Sequence, residues 1–276
     1  MRFRNCLILL AGLALAGTAA TVNAKAREEG RLLTASEVLE ELRSARDQVI
    51  PDRLLERAYG ILVIPDLTKV AFFAGGRRGH GVMVVRDARG RFTSPVFVTM
   101  TGGSFGWQWG VQSADIVLVF TTPKGIEGIN GGKVTLGADA SVAAGPVGRQ
   151  AEAATDASFK AEVYSYSRSR GVFAGLALDG TVISIDDGAN AEFYGKPDVS
   201  AADIIAGSVT SNDPSAQRFL SAVATSTGTG SERSASAAPP PAGTTSPAGS
   251  ARPPAQQPAP VQSFPMSDPQ PGQEPK

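Results

Sequence analysis

The sequence has one cysteine, Cys6, and one histidine, His80, among 276 residues. A structural zinc site of Cys and His needs about four such ligands, so none can be built. A disulfide within the chain is excluded on the same count. Cys/His catalysis is excluded from any mature form that has lost Cys6. Net charge is also lacking. Lys+Arg number 26 against Asp+Glu 26, with a pI of about 6.6. Residues 1–24 hold Arg2 and Arg4 and no acid, so taking two from 26 basic residues leaves 24 against 26 acidic, a net −2. A bulk electrostatic nucleic-acid binder shows a basic face and a high pI, and that class is set aside. A local basic patch stays open.

What is present divides by composition into an export signal, one domain and a tail. Arg2 and Arg4 form a short positive region, followed by the uncharged Leu- and Ala-rich stretch Leu7 to Ala20. Val22-Asn23-Ala24 then places small residues before Lys25, the pattern of a cleaved secretory signal over 1–24. Cys6 precedes the apolar run and Leu13 stands where a lipoprotein would need cysteine, which argues against lipidation. Arg2 and Arg4 are not adjacent, which favours the general secretory route. The expected location is periplasmic or secreted. The uncharged run from Asn5 to Ala24 is also just long enough to span a bilayer, so N-terminal anchoring in the membrane is the alternative.

The tail, 226–276, carries twelve of the 19 prolines, between Pro239 and Pro275. Apolar residues almost vanish there, so burial cannot offset the entropy of ordering, and a disordered Pro/Ala/Ser-rich segment is expected. It reads as a spacer, a ligand for a Pro-binding module through Ala238-Pro-Pro-Pro241, or an inert solvated tail.

The middle, 25–225, reads as one domain. Thr34-Ala35-Ser36-Glu37 has the form of a capping box. Val38, Leu39, Leu42, Ala45 and Val49 follow on one helical face. Pro51 suits the first residue of a second short helix through Ala58. Beyond Gly60 the period changes to short β-rich runs: Ile61–Ile64, Val70–Phe73, Val82–Val85, Val96–Met100 and Ile116–Phe120. Asp87-Ala-Arg-Gly90 reads as a hairpin loop. Asp179-Gly180 reads as a two-residue hairpin turn between Val172–Leu178 and Thr181–Ile185. Ser200-Ala-Ala-Asp203 and Asp213-Pro214 mark helix starts near the end. The fold class is α+β: a strongly twisted or barrel-like antiparallel β-sheet, Gly-rich, with N- and C-terminal helices.

Glycine is abundant, 31 residues, and it clusters inside the expected strands: Gly75-Gly76, Gly79-His80-Gly81, Gly102-Gly103, Gly106, Gly110, Gly171 and Gly175. Strand glycines mark bulges, bends or close backbone approach. A phosphate loop is the rival, and it fails on spacing. Around Gly132-Lys133 the first glycine is replaced by Glu127 and the hydroxyl by Val134. Gly79-His80-Gly81 lacks the third glycine of a dinucleotide fingerprint, Val84 standing in its place.

Several segments in order carry a family likeness. Pro65-Asp-Leu-Thr-Lys69-Val-Ala-Phe-Phe-Ala-Gly75-Gly is followed by His80-Gly-Val-Met-Val-Val-Arg86, Phe92-Thr-Ser-Pro95 and Gly102-Gly-Ser-Phe-Gly-Trp-Gln108. Ser113-Ala-Asp115-Ile-Val-Leu-Val, Leu136-Gly-Ala-Asp139-Ala-Ser-Val-Ala-Ala-Gly145-Pro and Tyr164-Ser-Tyr-Ser-Arg168-Ser-Arg-Gly171-Val-Phe-Ala-Gly175 come next. Asn190-Ala-Glu-Phe-Tyr194-Gly195 closes the set. From about Leu33 to Val223 the chain resembles the SYLF domain, a lipid-binding domain also described as an actin-binding domain in yeast. The likeness is to an exported bacterial member.

The resemblance implies binding of acidic phospholipid, not a reaction, and no cofactor. Eukaryotic members bind phosphoinositides and phosphatidic acid, and some bind actin filaments. This chain carries no FYVE or SH3 module, and actin is not an expected partner for an exported bacterial member. Eukaryotic members can also lay an amphipathic N-terminal helix on membranes. Here residues 35–49 hold Glu37, Glu40, Glu41 and Asp47 against Arg43 and Arg46, with no Trp or Phe. A membrane-surface helix wants basic and bulky apolar residues, so packing on the domain is expected.

An anionic headgroup needs cations elsewhere. Lys69, Arg77, Arg78 and His80 form one cluster in sequence, Arg168 and Arg170 a second. Arginine suits phosphate because its planar fork donates parallel hydrogen bonds. If the clusters meet, they could hold a phosphate, with Gly75-Gly76 amides as extra donors. Otherwise they are loop charges paired with acids such as Asp66 or Asp186. The expected partners are therefore anionic phospholipid or a membrane surface, with an envelope protein as the other candidate. In that second reading the chain is a structural protein of the envelope that offers an apolar sheet face and uses its tail as a spacer.

No catalytic or metal site is expected. Gly102-x-Ser104-x-Gly106 fits a nucleophile-elbow pentapeptide, but Gln108 and Val111 continue strand-like rather than helical. Trp107 and Trp109 would share a strand face as core or interface anchors. Asp186-Asp187-Gly188 reads as a turn before a cation site. Asp115 and Asp139 read as turn caps before buried acids.

Overall fold

The computed structural model describes residues 25–43, 50–71, 74–105, 110–147, 159–169 and 172–228. The chain divides into a unit spanning Met1–Ala238 and a second spanning Pro239–Lys276, the second wholly outside the described residues. Residues 1–24, expected as an export signal, nearly all of the expected tail, and Ala45, Val49, Trp107, Trp109 and Arg170 also fall outside them. Among the described residues no helix is long and apolar enough to cross a membrane.

Helix α1 covers residues 25–43, so Thr34 lies inside it and is not its cap. Its hydroxyl donates back to the Gly30 carbonyl at 3.1 Å, and Ser36 does the same to Leu32 at 2.8 Å. The apolar stripe explains the correction. Leu32, Ala35, Val38, Leu39 and Leu42 are all buried, so the periodic face already includes a residue before Thr34. The short α2 (Asp52–Glu56) has Pro51 as its N-cap rather than its first helical residue.

The sheet follows. Strands β1 (Gly60–Ala71), β2 (Ala74–Val85), β3 (Val96–Phe105) and β4 (Gly110–Phe120) are long. Helix α3 (Lys124–Asn130) leads to β5 (Lys133–Thr135), β6 (Val142–Ala144), β7 (Val163–Ser169), β8 (Val172–Gly175) and β9 (Val182–Ile185). The order is β5-β9-β3-β2-β1-β4-β7-β6, with β8 also on β7. All pairings are antiparallel except β6 with β7, which makes the curled half-barrel mixed. The expected run Ile61–Ile64 and the start of the expected run Val70–Phe73 join in β1 through a bulge between Ile64 and Leu67, and Phe72 and Phe73 lie outside the described residues. Pro65 has no N–H for a ladder, and Asp66 takes φ 55, which is how the strand absorbs the extra residues.

Asp179-Gly180 does turn, with Gly180 at φ 71, but it joins no hairpin. β8 pairs with β7, whereas β9 is held between β3 and β5. The Gly180 N–H donates to Leu136, which ties the turn to the segment after β5 instead.

Three helices complete the domain. Asp186 caps α4 (Asp187–Tyr194), and Gly195 ends it at φ 63. The Ser200–Asp203 capping box opens α5 (Ala201–Ile205), and Asp213 with Pro214 opens α6 (Pro214–Ser226). Since α6 reaches Ser226, the folded region extends past 225.

At the Gly60–Ile64 end of β1 and the facing parts of its neighbours, both sheet faces are covered. Ile61, Val63, Val82, Val84, Phe97, Val117 and Val119 pack with α1, α2, α4 and α6. The alternate residues Leu62, Ile64, Met83, Val85, Val96 and Leu118 pack with α3, α5 and the 134–140 segment. Each fully buried side chain of this size contributes about 1.5–3 kcal/mol of transfer free energy. The N-terminal helix is thus a packed element, as its acidic polar face implied. Among the described residues the exposed large hydrophobics reduce to Leu33.

Candidate functional site

The β1 bulge is held from β4. The Asp66 N–H donates to Asp115 Oδ1 at 3.0 Å, and the Ser113 hydroxyl donates to Asp66 Oδ1 at 3.3 Å. Asp115 is thus a half-buried acid bracing a bulge, not a turn cap. Burial pushes its carboxyl up and the neighbouring Asp66 charge adds to that, against the Asp66 N–H. Asp139 is the cap expected of it, accepting from Thr135 N–H at 2.7 Å.

Past the bulge the ladder sets the cations side by side. Thr68 lies opposite Arg78, and Lys69 opposite Arg77. Lys69 also lies opposite Gln112 on β4, and Arg77 opposite Gly102 on β3. Lys69 and Arg77 therefore hold facing positions on adjacent strands, whereas Arg78, one residue further along β2, projects from the opposite face of the sheet to Arg77. The Lys69 side chain lies outside the described set. Arg78 is exposed and Arg77 half-buried. Among the described residues no carboxylate makes an ion pair with either. Burial lowers the Arg77 guanidinium from its ordinary value, and the Asp179 charge acts in the other direction.

The remaining candidates are engaged. His80 Nδ1 lies 3.2 Å from Asp186 Oδ2 and 3.3 Å from the Thr99 hydroxyl. Arg31 of α1 approaches the same carboxylate at 3.9 Å. Burial alone would raise the Asp186 carboxyl. The Ala189 N–H, the His80 hydrogen bond and the Arg31 charge outweigh it and hold the group below the ordinary carboxylate value. Arg168 donates from Nε to Asp115 at 2.9 Å, and its Nη1 meets Glu41 of α1. Arg168 stays apart from Arg77 and Arg78, since β1 and β4 lie between β7 and β2. Asp186 is the partner that the sequence had offered for such a charge, whereas Asp115 and Glu41 for Arg168 were not foreseen. The β4–β7 register that pairs Asp115 with Arg168 leaves no mark in either segment alone.

Gly75 and Gly76 do not make an amide nest. Both belong to β2, with Gly75 opposite Ser104 and Gly76 between Val70 and Gly103, so their amides sit in a ladder. Ser104 lies in β3, which leads to β4 and not to a helix. It pairs with Gly75, whereas His80 pairs with Thr99. Five residues of strand rise put the two about 17 Å apart, too far for a nucleophile and base. Among the described residues no three carboxylate or imidazole groups converge as metal ligands. A groove of about 240 Å³ lies between α1 and α6, with Glu40, Arg43 and Arg218 among its lining. Arg218 pairs with Glu40 at 3.3 Å and Arg43 donates to the Thr225 carbonyl, so its charges are spoken for.

One feature on β2 and β3 escaped the sequence reading. A Cβ on Gly102 would lie 2.7 Å from Arg77 Nε and 3.1 Å from the Thr181 hydroxyl. Arg77 Nε and Thr181 Oγ1 are buried and have no hydrogen-bond partner. Gly102 was noticed only as one of many strand glycines, and Thr181 only as a strand residue.

Residues 101–226 match the Ysc84 family, described as Las17-binding protein actin regulator. LAS seventeen-binding protein 3 of Saccharomyces cerevisiae is 41% identical over 152 residues, 54% of this chain and 33% of that protein. Protein YSC84 of the same yeast is 40% identical over 152 residues, 54% of this chain and 32% of its own length. SH3 domain-containing YSC84-like protein 1 of Xenopus laevis is 32% identical over 168 residues, 60% of this chain and 50% of its own. The chain thus spans between about a third and a half of the length of these relatives.

Proposed function

Since the folded domain belongs to the SYLF (Ysc84) family, we propose that this protein is a non-enzymatic module that binds anionic phospholipid or a related envelope amphiphile. It acts in the periplasm or outside the cell, after loss of its export signal. The observation that carries the reading is that Arg77 and Arg78, on opposite faces of the same end of β2, have no carboxylate paired to either among the described residues, with Arg78 exposed. Arginines left without acids on a folded surface suit phosphate oxygens, which accept their parallel donors. Arg168 and His80 take a supporting part, since each already holds a carboxylate. Arg170 follows Ser169, the last residue of β7, and joins the second cluster by position in the chain.

The relatives' names speak of Las17 binding and of YSC84, and none names a reaction. A protein partner in the envelope is the outcome to consider if lipid fails. The test is co-sedimentation of the full chain with phosphatidylcholine vesicles carrying graded phosphatidylglycerol, at low and high salt. Binding should rise with anionic content and fall with salt. Replacing the exposed Arg78 by alanine should weaken it by about fivefold, from about 1 kcal/mol per basic residue near the surface. Absence of binding at every composition would sink the reading.

A further inference from the structure

The four long strands outrun their neighbours at one end. β9 pairs with β3 only as far as Thr101, and β7 pairs with β4 only as far as Asp115. Beyond those points Gly102–Phe105, Ala74–Arg78, Leu67–Ala71 and Gly110–Ala114 pair only with one another among the described strands. Four residues of strand rise, from Thr101 to Phe105, carry this end about 14 Å past β9. Its outer edges, on β3 and β4, have no ladder partner among the described residues.

Charge sits in a band behind it. Val70–Gly76 and Thr101–Ala114, the stretches that supply most of these strand ends, hold no Asp, Glu, Lys or Arg. Lys69, Arg77 and Arg78 border the first of them directly. Neighbours on a strand point to opposite faces, so Arg78 serves one face and Arg77, opposite Lys69 in the ladder, serves the other. On the Arg78 face the floor is bare. Gly76 and Gly103 lie opposite each other, both are exposed, and a Cβ on Gly103 would meet nothing within 4 Å. The nearest acids in the ladder, Asp66 and Asp115, stand behind the cations and are occupied in the β1 bulge.

Cations on both faces decide how an anionic surface can meet the molecule. A face-on approach brings phosphates to Arg78 or to Arg77 but not to both. An end-on approach brings both within reach and places the uncharged strand ends among the headgroups. The open edges then set the depth. Unpaired backbone groups are not tolerated in hydrocarbon, whereas water and headgroup oxygens satisfy them. The end therefore stops in the headgroup layer, about 5–7 Å thick per leaflet, which its projection is long enough to cross.

We propose that this end of the sheet docks end-on into the headgroup layer of an anionic bilayer, with Arg77 and Arg78 meeting phosphates on its two faces. The inference rests on the lipid reading above and adds orientation and depth to it. The connections 72–73 and 106–109 lie outside the described residues, and the surface is defined without them.

Cys6→Ser gives a full chain in which Gly103→Cys or Ala88→Cys supplies the sole thiol. Ala88 is exposed in the loop at the other end of β2. Each chain is labelled there with the fluorophore NBD and mixed with phosphatidylcholine vesicles carrying phosphatidylglycerol, with a nitroxide quencher on the headgroup or midway along the acyl chain. Emission from position 103 should shift to the blue and be quenched most from the headgroup, while emission from position 88 stays as in water. Gly103→Asp, which puts an acid into open space, should weaken sedimentation with these vesicles by about fivefold. Ala88→Asp should leave it unchanged. Melting curves identify a Gly103→Asp protein that has not folded, and Gly76→Asp then takes its place. Sedimentation with no shift at 103, or with the shift at 88 instead, overturns the docking end and leaves the lipid reading standing. Quenching at 103 that is strongest from mid-chain overturns the headgroup-layer depth. If the chain sediments with no vesicle, both readings fall.

Discussion

The four long strands have two ends that share a sheet and little else. From Gly60 to Ile64 on β1, and along the facing parts of β2 and β4, every residue is buried and both faces are covered by helices or loops. Past Leu67 the same strands carry Thr68, Lys69, Arg77 and Arg78, and Arg78 reaches solvent. Glycine serves opposite purposes at the two ends. At Gly81 a Cβ would sit 2.6 Å from Ile64 Cγ1 and from the Val63 carbonyl, so glycine there permits contact. At Gly76 the nearest atom is 4.0 Å away, so glycine there leaves space. One residue type thus tightens a core and opens a surface, and its neighbours decide which.

The sharpest test of that contrast is Phe120→Ala at the packed end. It should cost about 3–5 kcal/mol in denaturant unfolding, as truncation of a buried aromatic does. A cost under about 1 kcal/mol would mean this end is not the core. Next come two arginines that look equivalent in sequence. Arg168→Ala should cost about 1.5–3 kcal/mol, because it strips a charged hydrogen bond from Asp115. Arg78→Ala should leave the unfolding midpoint in place and show its effect on vesicles alone. Gly81→Ala should destabilise by about 1–3 kcal/mol through overpacking. Gly76→Ala should change stability by no more than about 0.5 kcal/mol. Equal costs for the two glycines would erase the distinction.

The smallest effect is a pH dependence. The folded Asp186 carboxyl lies below its ordinary value of 3.8, so its stabilisation is fully present above that pH. It is lost as the pH falls through the lower folded value, when the unfolded chain binds the proton more readily. Asp186→Asn should therefore flatten the acid limb of a stability profile and leave its alkaline side parallel to wild type. An unchanged acid limb would remove Asp186 from the tether between His80 and α1.

Local chemistry was legible in the sequence, and pairing across distance was not. The Ser200–Asp203 box, the Asp213-Pro214 start and the Asp87–Gly90 loop were readable because each is decided within four residues. The hydrophobic β-runs and the α+β class followed from alternation and turn spacing. The Thr34 cap misled because the signature is right while the apolar stripe already includes Leu32 before it. The Asp179-Gly180 hairpin misled because a turn fixes its own geometry and not the partners of the strands it leaves. At the candidate site, residue type suggested cations for phosphate. Sorting free arginines from paired ones needed the β4–β7 register, and the Gly102–Thr181 proximity needed the β3–β9 one.

The pairing of the first and last helices bears on how such a chain acquires its structure. Glu40 of α1 meets Arg218, and Lys25 meets Asp213 at 3.2 Å, so elements at opposite ends of the domain close one face together. Contacts at that sequence separation form slowly, since a long loop must close before they reward it. A chain emerging from a ribosome or a translocon would leave the cluster around Val63, Val82 and Val117 incomplete until Phe219 and Val223 arrive. Nascent forms stopping short of Pro214 should therefore be the ones that chaperones retain, and completion of α6 the step that releases them.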